Sequence, residues 1–225
     1  MLGRLLKVKV IDHPYAQAIL TVLRDRRTSQ IEFRKGLVRL GRVLGLEMVK
    51  ELEVEECEVE TPLGVKTRGI RVKDLDQVVI ITVLRAAWPL TEGLVKIFFN
   101  AKQGVIVAKR VEEKGMRNYE FEVDVAYVKI PTITPESIVI LSDVMVATGS
   151  TADRALREII THGRAKKYLL ASIIITPIAL TRLSKASEEL GINLTVYSVA
   201  VDPEVNNRGY IVPGLGDAGD RAFGS

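Results

Sequence analysis

From Asp76 onward the chain carries five short apolar runs: Val78 to Leu84, Gly104 to Ala108, Ile138 to Leu141, Tyr168 to Ile175 and Asn193 to Val201. Uninterrupted β-branched and aliphatic runs of this length suit strands buried on both faces of a parallel sheet. Between them, Leu90 to Phe99, Ala152 to Ile160 and Ile178 to Leu190 place apolar residues at helical spacing. Strand and helix in alternation predict an α/β fold with a doubly wound parallel sheet, whose ligands bind at the carboxyl ends of the strands.

Residues 1–75 follow a different pattern. Pro14 to Arg26 reads as a helix. Ser29 with Glu32 forms a capping box for a second helix, running through Phe33, Leu37, Leu40 and Leu44 to a stop at Gly45. The stretch EVEECEVETPLGVKTRGIRV alternates apolar and polar residues about a turn at Pro62 to Gly64, as a hairpin does. This part is an extension packed on the core or on another subunit. Arg110 to Pro131 is charged and alternating, with Lys114 and Gly115 at its turn, and reads as a long hairpin that is either a surface excursion or a lid.

Composition narrows the class. A chain of 225 residues with 47% hydrophobic content supports one sizeable core with room for a lobe or flap. Its apolar runs are strand-sized, so no membrane span is expected, and MLGRLLKVKV has no long apolar region of the secretory kind. Cys57 is the single cysteine, which excludes an internal disulfide and points to a cytoplasmic protein. The net charge of +4 is dispersed and aromatic content is only 5%, so nucleic-acid binding is unmotivated, whereas a small anionic substrate suits the balance. The two histidines, His13 before Pro14 and His162 at a helix end, read as caps or surface residues. With one cysteine they assemble neither a zinc site nor a Cys-His nucleophile.

The chemistry gathers at strand ends. In IVILSDVMVATGSTADRAL the apolar run stops at Asp143, passes through Ala147, Thr148, Gly149, Ser150 and Thr151, and resumes with helical spacing, Ser150 and Asp153 forming a capping box and Gly163 a stop. A strand, a small-residue loop and a helix amino terminus form an anion site, although an ordinary connection favours the same residues. Arg85 follows one buried strand and Arg110 another, so two cations and an acid share three strand ends; Arg85 could equally cap a carbonyl or pair with Glu92. The closing GYIVPGLGDAGDRAFGS combines five glycines with Tyr210, Ile211, Val212, Leu215 and Phe223, a composition that lets backbone N–H and C=O groups approach a planar ligand.

VLRAAWPLTEG, DVMVATGST, VDPEVNNRGYIVPGLGDAGDRAFG and FRKGLVRLGR together closely resemble the uracil phosphoribosyltransferase family, over nearly the whole chain. The resemblance implies a single domain over 1–225 of the type I phosphoribosyltransferase kind, with an extension at 1–75, a flap at 110–131 and a base-reading segment at 202–225. It implies transfer of phosphoribosyl from phosphoribosyl pyrophosphate to uracil, giving UMP and pyrophosphate in pyrimidine salvage, with Mg²⁺ carried mainly by the donor. Asp143, Val144, Met145, Val146, Ala147, Thr148, Gly149, Ser150 and Thr151 would form the phosphoribosyl loop, and Arg85 and Arg110 would hold the pyrophosphate. Ile211, Gly216, Asp217 and Ala218 would read uracil, with Asp217 also near the donor. Lys35, Gly36, Leu37, Val38 and Arg39 match a segment that binds activating GTP in related enzymes, and a homodimer or homotetramer is implied.

Three positions depart from the family pattern. Val144 replaces a usual Pro, which would loosen the start of the loop; Ala126 replaces one of a Tyr pair, leaving Tyr127; and IIITPIAL around Pro177 lacks the usual acidic and glycine residues. A paralogue using another base, or a non-catalytic nucleotide-binding regulator, are the rival readings.

Overall fold

The computed structural model describes residues 5–111 and 115–224. In chain order it contains β1 (Leu6–Val10), α1 (Pro14–Arg24), α2 (Gln30–Val49), the pair β2 (Val54–Glu60) and β3 (Lys66–Val72), β4 (Val78–Leu84), α3 (Trp88–Val95) and β5 (Lys102–Arg110). Then follow β6 (Val123–Lys129), β7 (Ile138–Ser142), β8 (Met145–Val146), α4 (Ser150–Thr161), β9 (Lys167–Ile175), α5 (Pro177–Leu190) and β10 (Leu194–Val201). The short β11 (Glu204–Val205), β12 (Ile211–Val212) and α6 (Ala218–Phe223) close the chain.

All five apolar runs are strands of one sheet, in the order β1-β10-β9-β7-β4-β5-β6, with β8 pairing β9. Every neighbouring pair is parallel except β5 with β6. Successive side chains on a strand point to opposite faces, and here each face has its own core. Ile80, Ile140 and Leu169 belong to a cluster with Phe33, Leu37, Leu40 and Leu44 of α2, whereas Ile81, Leu141 and Leu170 belong to one with Leu156, Ile159 and Leu183 of α4 and α5. This is the doubly wound sheet that the alternation of runs predicts.

The extension packs on the first of those faces. His13 caps α1, its Nδ1 accepting from the Tyr15 N–H at 3.1 Å, and Ser29 caps α2. Gly45 does not stop α2, which continues to Val49. A Cβ there would lie 2.9 Å from Cγ1 of Ile97, so the glycine serves close packing. Gly41 does the same for α3, because a Cβ on it would sit 2.2 Å from the Leu90 carbonyl oxygen. The expected hairpin is present as β2 and β3, a separate two-stranded sheet. The run in MLGRLLKVKV supplies β1, an edge strand parallel to β10 that was not expected. Among the described residues, no helix is long and apolar enough to cross a membrane.

The segment expected to be a flap follows β5 and leads into β6, which pairs antiparallel with it. Their register shifts between Val107 and Ala108, and Gly115 adopts φ +65° beyond the strand. Lys114, expected at the same turn, lies outside the described residues.

Candidate active site

Three strand ends open onto one cavity of about 960 Å³. Arg85, Arg110, Asp143, Met145, Ala147 and Thr151 line one part of it. Gly216, Asp217 and Ala218 line another, together with Tyr210 and Phe121. Residues from β4, β5, the loop after β7 and the carboxyl-terminal segment thus meet where parallel strands of a doubly wound sheet present ligands.

Asp143 is 9% exposed, and burial raises its carboxyl pKa from 3.8 to about 6. The Arg110 charge and the backbone N–H groups of Met145 and Val144 act in the opposite direction. Desolvation and cation are in competition here, which leaves the acid ready to ionise when a further positive charge or hydroxyl donor arrives.

The loop after Asp143 is firmly held. The Val144 carbonyl accepts from the Ile173 and Ile174 N–H groups at 3.0 and 3.3 Å, and β8 pairs with β9 immediately afterwards. Backbone pairing thus holds the carbonyl of Val144, the residue that stands where the family usually has Pro. Val144 and Val146 are buried, turned away from the cavity.

The helix start differs from the expected capping box. Gly149, at φ +79°, is the cap of α4 and Ser150 is already its first residue. A side chain at Gly149 would also press within 3.2 Å of the Ala179 backbone. Relieved of capping, the Ser150 hydroxyl accepts from the Phe121 N–H at 3.2 Å and shares a hydrogen bond with Thr148 Oγ1 at 3.0 Å.

Arg85 follows a cis Leu84–Arg85 peptide. Its Nη2 donates to Asp220 at 3.3 Å and to the Gly224 carbonyl at 3.4 Å, and its guanidinium lies 5.9 Å from the centre of the Phe223 ring. Asp220 rather than Glu92 is therefore its acidic partner. Arg110 donates to the Gly209 carbonyl at 3.3 Å and stacks 5.0 Å from the Phe121 ring centre.

In the base-reading segment, Ile211 is buried and pairs with Val205, while Gly216 takes φ +77° and is exposed. Asp217 caps α6, accepting from the Asp220 N–H at 2.9 Å.

A second hollow, of about 570 Å³, lies between α2 and α3. Lys35, Val38 and Arg39 line it with Arg34, Arg42 and Trp88. Gly36 and Leu37 face the core instead, so the Lys35 to Arg39 segment presents only alternate parts of itself to this hollow.

Sequence reasoning missed Arg182. From α5 it donates to the Thr148 carbonyl at 2.9 Å and to the Tyr119 carbonyl at 3.2 Å, and pairs with Glu120 at 3.0 Å. Thr176 was missed as well; its buried hydroxyl donates to the Ala147 carbonyl at 2.5 Å and accepts from the Ala179 N–H. These contacts occupy the region around Pro177 that departs from the family pattern. Among the described residues, no three His, Cys, Asp or Glu side chains gather to hold a metal ion.

A family model described as uracil phosphoribosyltransferase matches residues 10–225. A uracil phosphoribosyltransferase of Thermococcus gammatolerans is 50% identical over 214 residues, covering 95% of this chain and 91% of that protein. One of Pyrobaculum islandicum is 51% identical over 217 residues, covering 96% and 98%. Among solved structures, the AQ2163 protein from Aquifex aeolicus superimposes with a TM-score of 0.84 at 33% identity, covering 96% of this chain and 98% of that one. A cavity floored by a buried acid and edged by two arginines and a glycine-rich segment thus sits in a chain whose match is nearly end to end, and the chain belongs to the uracil phosphoribosyltransferase family.

Proposed function

We propose that this protein transfers the phosphoribosyl group of phosphoribosyl pyrophosphate to uracil, releasing pyrophosphate and forming UMP in pyrimidine salvage. The observation that carries the reading is the convergence of Asp143, Arg85, Arg110 and the Gly216 to Ala218 backbone on one cavity. Breaking the anomeric bond builds positive charge on the ribose and negative charge on the departing pyrophosphate. Arg85 and Arg110 meet the second charge. Arg85 is exposed and its contacts are long, so an entering pyrophosphate competes with Asp220 and Gly224 on favourable terms.

Asp143 accepts from the ribose hydroxyls in this scheme, and the loop N–H groups at the start of α4 receive the 5-phosphate. Ser150 contributes through its orientation. Its oxygen accepts from Phe121, and with Thr148 supplying the proton of the hydrogen bond that the two hydroxyls share, the Ser150 proton is available to a phosphate oxygen. Of the acids that line the cavity, Asp143, Asp217 and Asp220, the first two would suit a hydrated Mg²⁺ carried in by the donor, Asp220 being paired with Arg85. Bound there, it would add to the neutralisation of the pyrophosphate that Arg85 and Arg110 provide.

The base would be read by the backbone of the Ile211 to Ala218 segment. A cytosine amino group set against an N–H donor leaves two donors facing each other, at a cost of about 1–3 kcal/mol for each unsatisfied group. The flap, closing over the cavity, would keep water from the donor.

GTP is the proposed effector, supported by the cationic hollow of Lys35, Arg39 and Arg42 beside the exposed Trp88. A homodimer or homotetramer is supported by Leu63, Val65 and Ile70 of the hairpin, all strongly exposed apolar residues. The free thiol of Cys57 suits a reducing compartment such as the cytoplasm.

Pyrophosphate release with uracil, cytosine, hypoxanthine and orotate, each with the donor and Mg²⁺, tests the reading. Uracil alone should support rapid release. A preference for another base would make the protein a paralogue, and binding without release would make it a regulator.

A further inference from the structure

Both backbone polar groups of Gly214, the N–H of one peptide and the C=O of the next, are taken by side chains from other parts of the chain. Asp202, just past β10, accepts from the Gly214 N–H at 2.8 Å, and Arg24, the last residue of α1, donates to the Gly214 carbonyl at 2.6 Å. The two side chains are joined to each other by two hydrogen bonds of 2.8 and 2.7 Å. Asp202 is 4% exposed, and its own N–H donates to the Ile175 carbonyl at 2.9 Å, which ties the acid to β9.

The arrangement answers a local need. Gly214 is buried at φ +57°, packed so closely on Ile211 that a Cβ would lie 2.2 Å from the Ile211 carbonyl oxygen. A peptide in that conformation cannot join a strand, and a buried one cannot rely on water. An ion pair that matches a donor and an acceptor at once fixes its height and its tilt. Two residues further on, Gly216 lines the catalytic cavity, followed by Asp217 and Ala218.

We infer that Arg24 and Asp202 are positioning residues for base recognition, setting the Gly216 to Ala218 backbone at the distance that accepts uracil and refuses cytosine. The inference rests on the proposed activity. A second guanidinium keeps the segment docked without them. Arg221 donates to the Leu215 and Asp25 carbonyls at 2.7 Å each and stacks 4.3 Å from the Phe33 ring centre. Loss of the Arg24 pair therefore shifts the segment and does not release it. Lysine at position 24 would keep the charge but not the two-pronged geometry.

Initial rates for wild type, Asp202→Asn and Arg24→Lys, titrating uracil, cytosine and donor separately, test this, together with amide hydrogen exchange across residues 211–218. The expected result is a uracil KM raised about tenfold in Asp202→Asn and less in Arg24→Lys, with the uracil-to-cytosine preference falling by a similar factor. The donor KM should stay within about twofold, and exchange across 211–218 should quicken while that of 143–151 does not. Equal rises in both KM values, or an unchanged uracil KM with only a lower melting temperature, would overturn the assignment. If Asp202→Asn fails to fold, Arg24→Lys decides by the same ratios. A wild type inactive with uracil overturns the proposed activity itself, whereas an active wild type with unchanged variants overturns only the positioning role.

Discussion

Arg182 Nε lies 2.9 Å from the Thr148 carbonyl oxygen, and through that contact α5 holds the loop that leads into α4. The same guanidinium reaches the Tyr119 carbonyl and the Glu120 carboxylate in the flap. One side chain thereby ties α5 to the loop before α4 and to the segment before β6, both of which the proposed activity uses to hold the donor.

Arg182→Ala should raise the donor KM about tenfold and leave the uracil KM within about twofold, because a charged hydrogen-bond donor is worth about 1.5–3 kcal/mol. Glu120→Gln should do far less, since its carboxylate side chain is 62% exposed and such pairs contribute little. Initial rates over a donor titration in the three proteins check both statements. Equal effects of the two substitutions would place the contribution in the ion pair and not at the loop.

Asp143→Asn should lower kcat/KM by roughly 10- to 100-fold through loss of charge-assisted hydrogen bonds. Its effect on stability has the opposite sign. The folded-state pKa of about 6 lies above the ordinary 3.8, so the native protein binds more protons between those values. Stability from this group is complete below about pH 4 and is lost as pH rises through about 6. At pH 7.5 the asparagine variant should be more stable than wild type, by up to about 3 kcal/mol, and the gap should close towards pH 4. Urea unfolding at the two pH values measures it.

The centre of the sheet was legible in the sequence because β4, β7, β9 and most of β10 are buried on both faces, which gives short continuous apolar runs. Arg85, Arg110 and Asp143 were legible for the same reason, each standing where a run ends. β1 was hidden because an edge strand reads as a partly charged LKVKV. Arg182, Arg24 and Asp202 carry no local signal at all: their partners lie 34, 190 and 12 residues away, and only the folded chain brings them together. Gly149 and Ser150 exchanged roles because Gly149 can adopt the left-handed conformation that ends the loop, and local spacing does not report φ.

GTP should change the initial rate of the wild-type protein, and Lys35→Ala combined with Arg39→Ala should abolish that response while donor affinity stays nearly unchanged. A ligand alters activity only by favouring one state over another. Both side chains are about half exposed, and among the described residues their ion-pair partner is Glu32, at 3.1 and 3.9 Å, so a triphosphate meets a weak pair there. Titrating GTP against rate in both proteins decides the matter; no response in wild type, or an undiminished one in the double variant, leaves an ordinary charged surface.

Gly41→Ala should destabilise the fold by about 3 kcal/mol, because overpacking here is against backbone and no side chain can yield. The melting temperature should fall by roughly 6–12 °C for a chain of this size. Gly64→Ala is the natural control. Its φ is +70° but a Cβ would meet nothing within 4 Å, so its cost should be no more than about 1–2 kcal/mol. Thermal scans of both variants give the comparison.

The register shift between Val107 and Ala108 divides β5 into a part that belongs to the sheet and a part that belongs to the flap. Arg110 stands on the flap side of that seam, and Asp143 on the fixed side. Up to Val107 the strand is pinned by β4 as well as β6, and beyond it by β6, so the cation and the acid that line one cavity take their places from different parts of the fold.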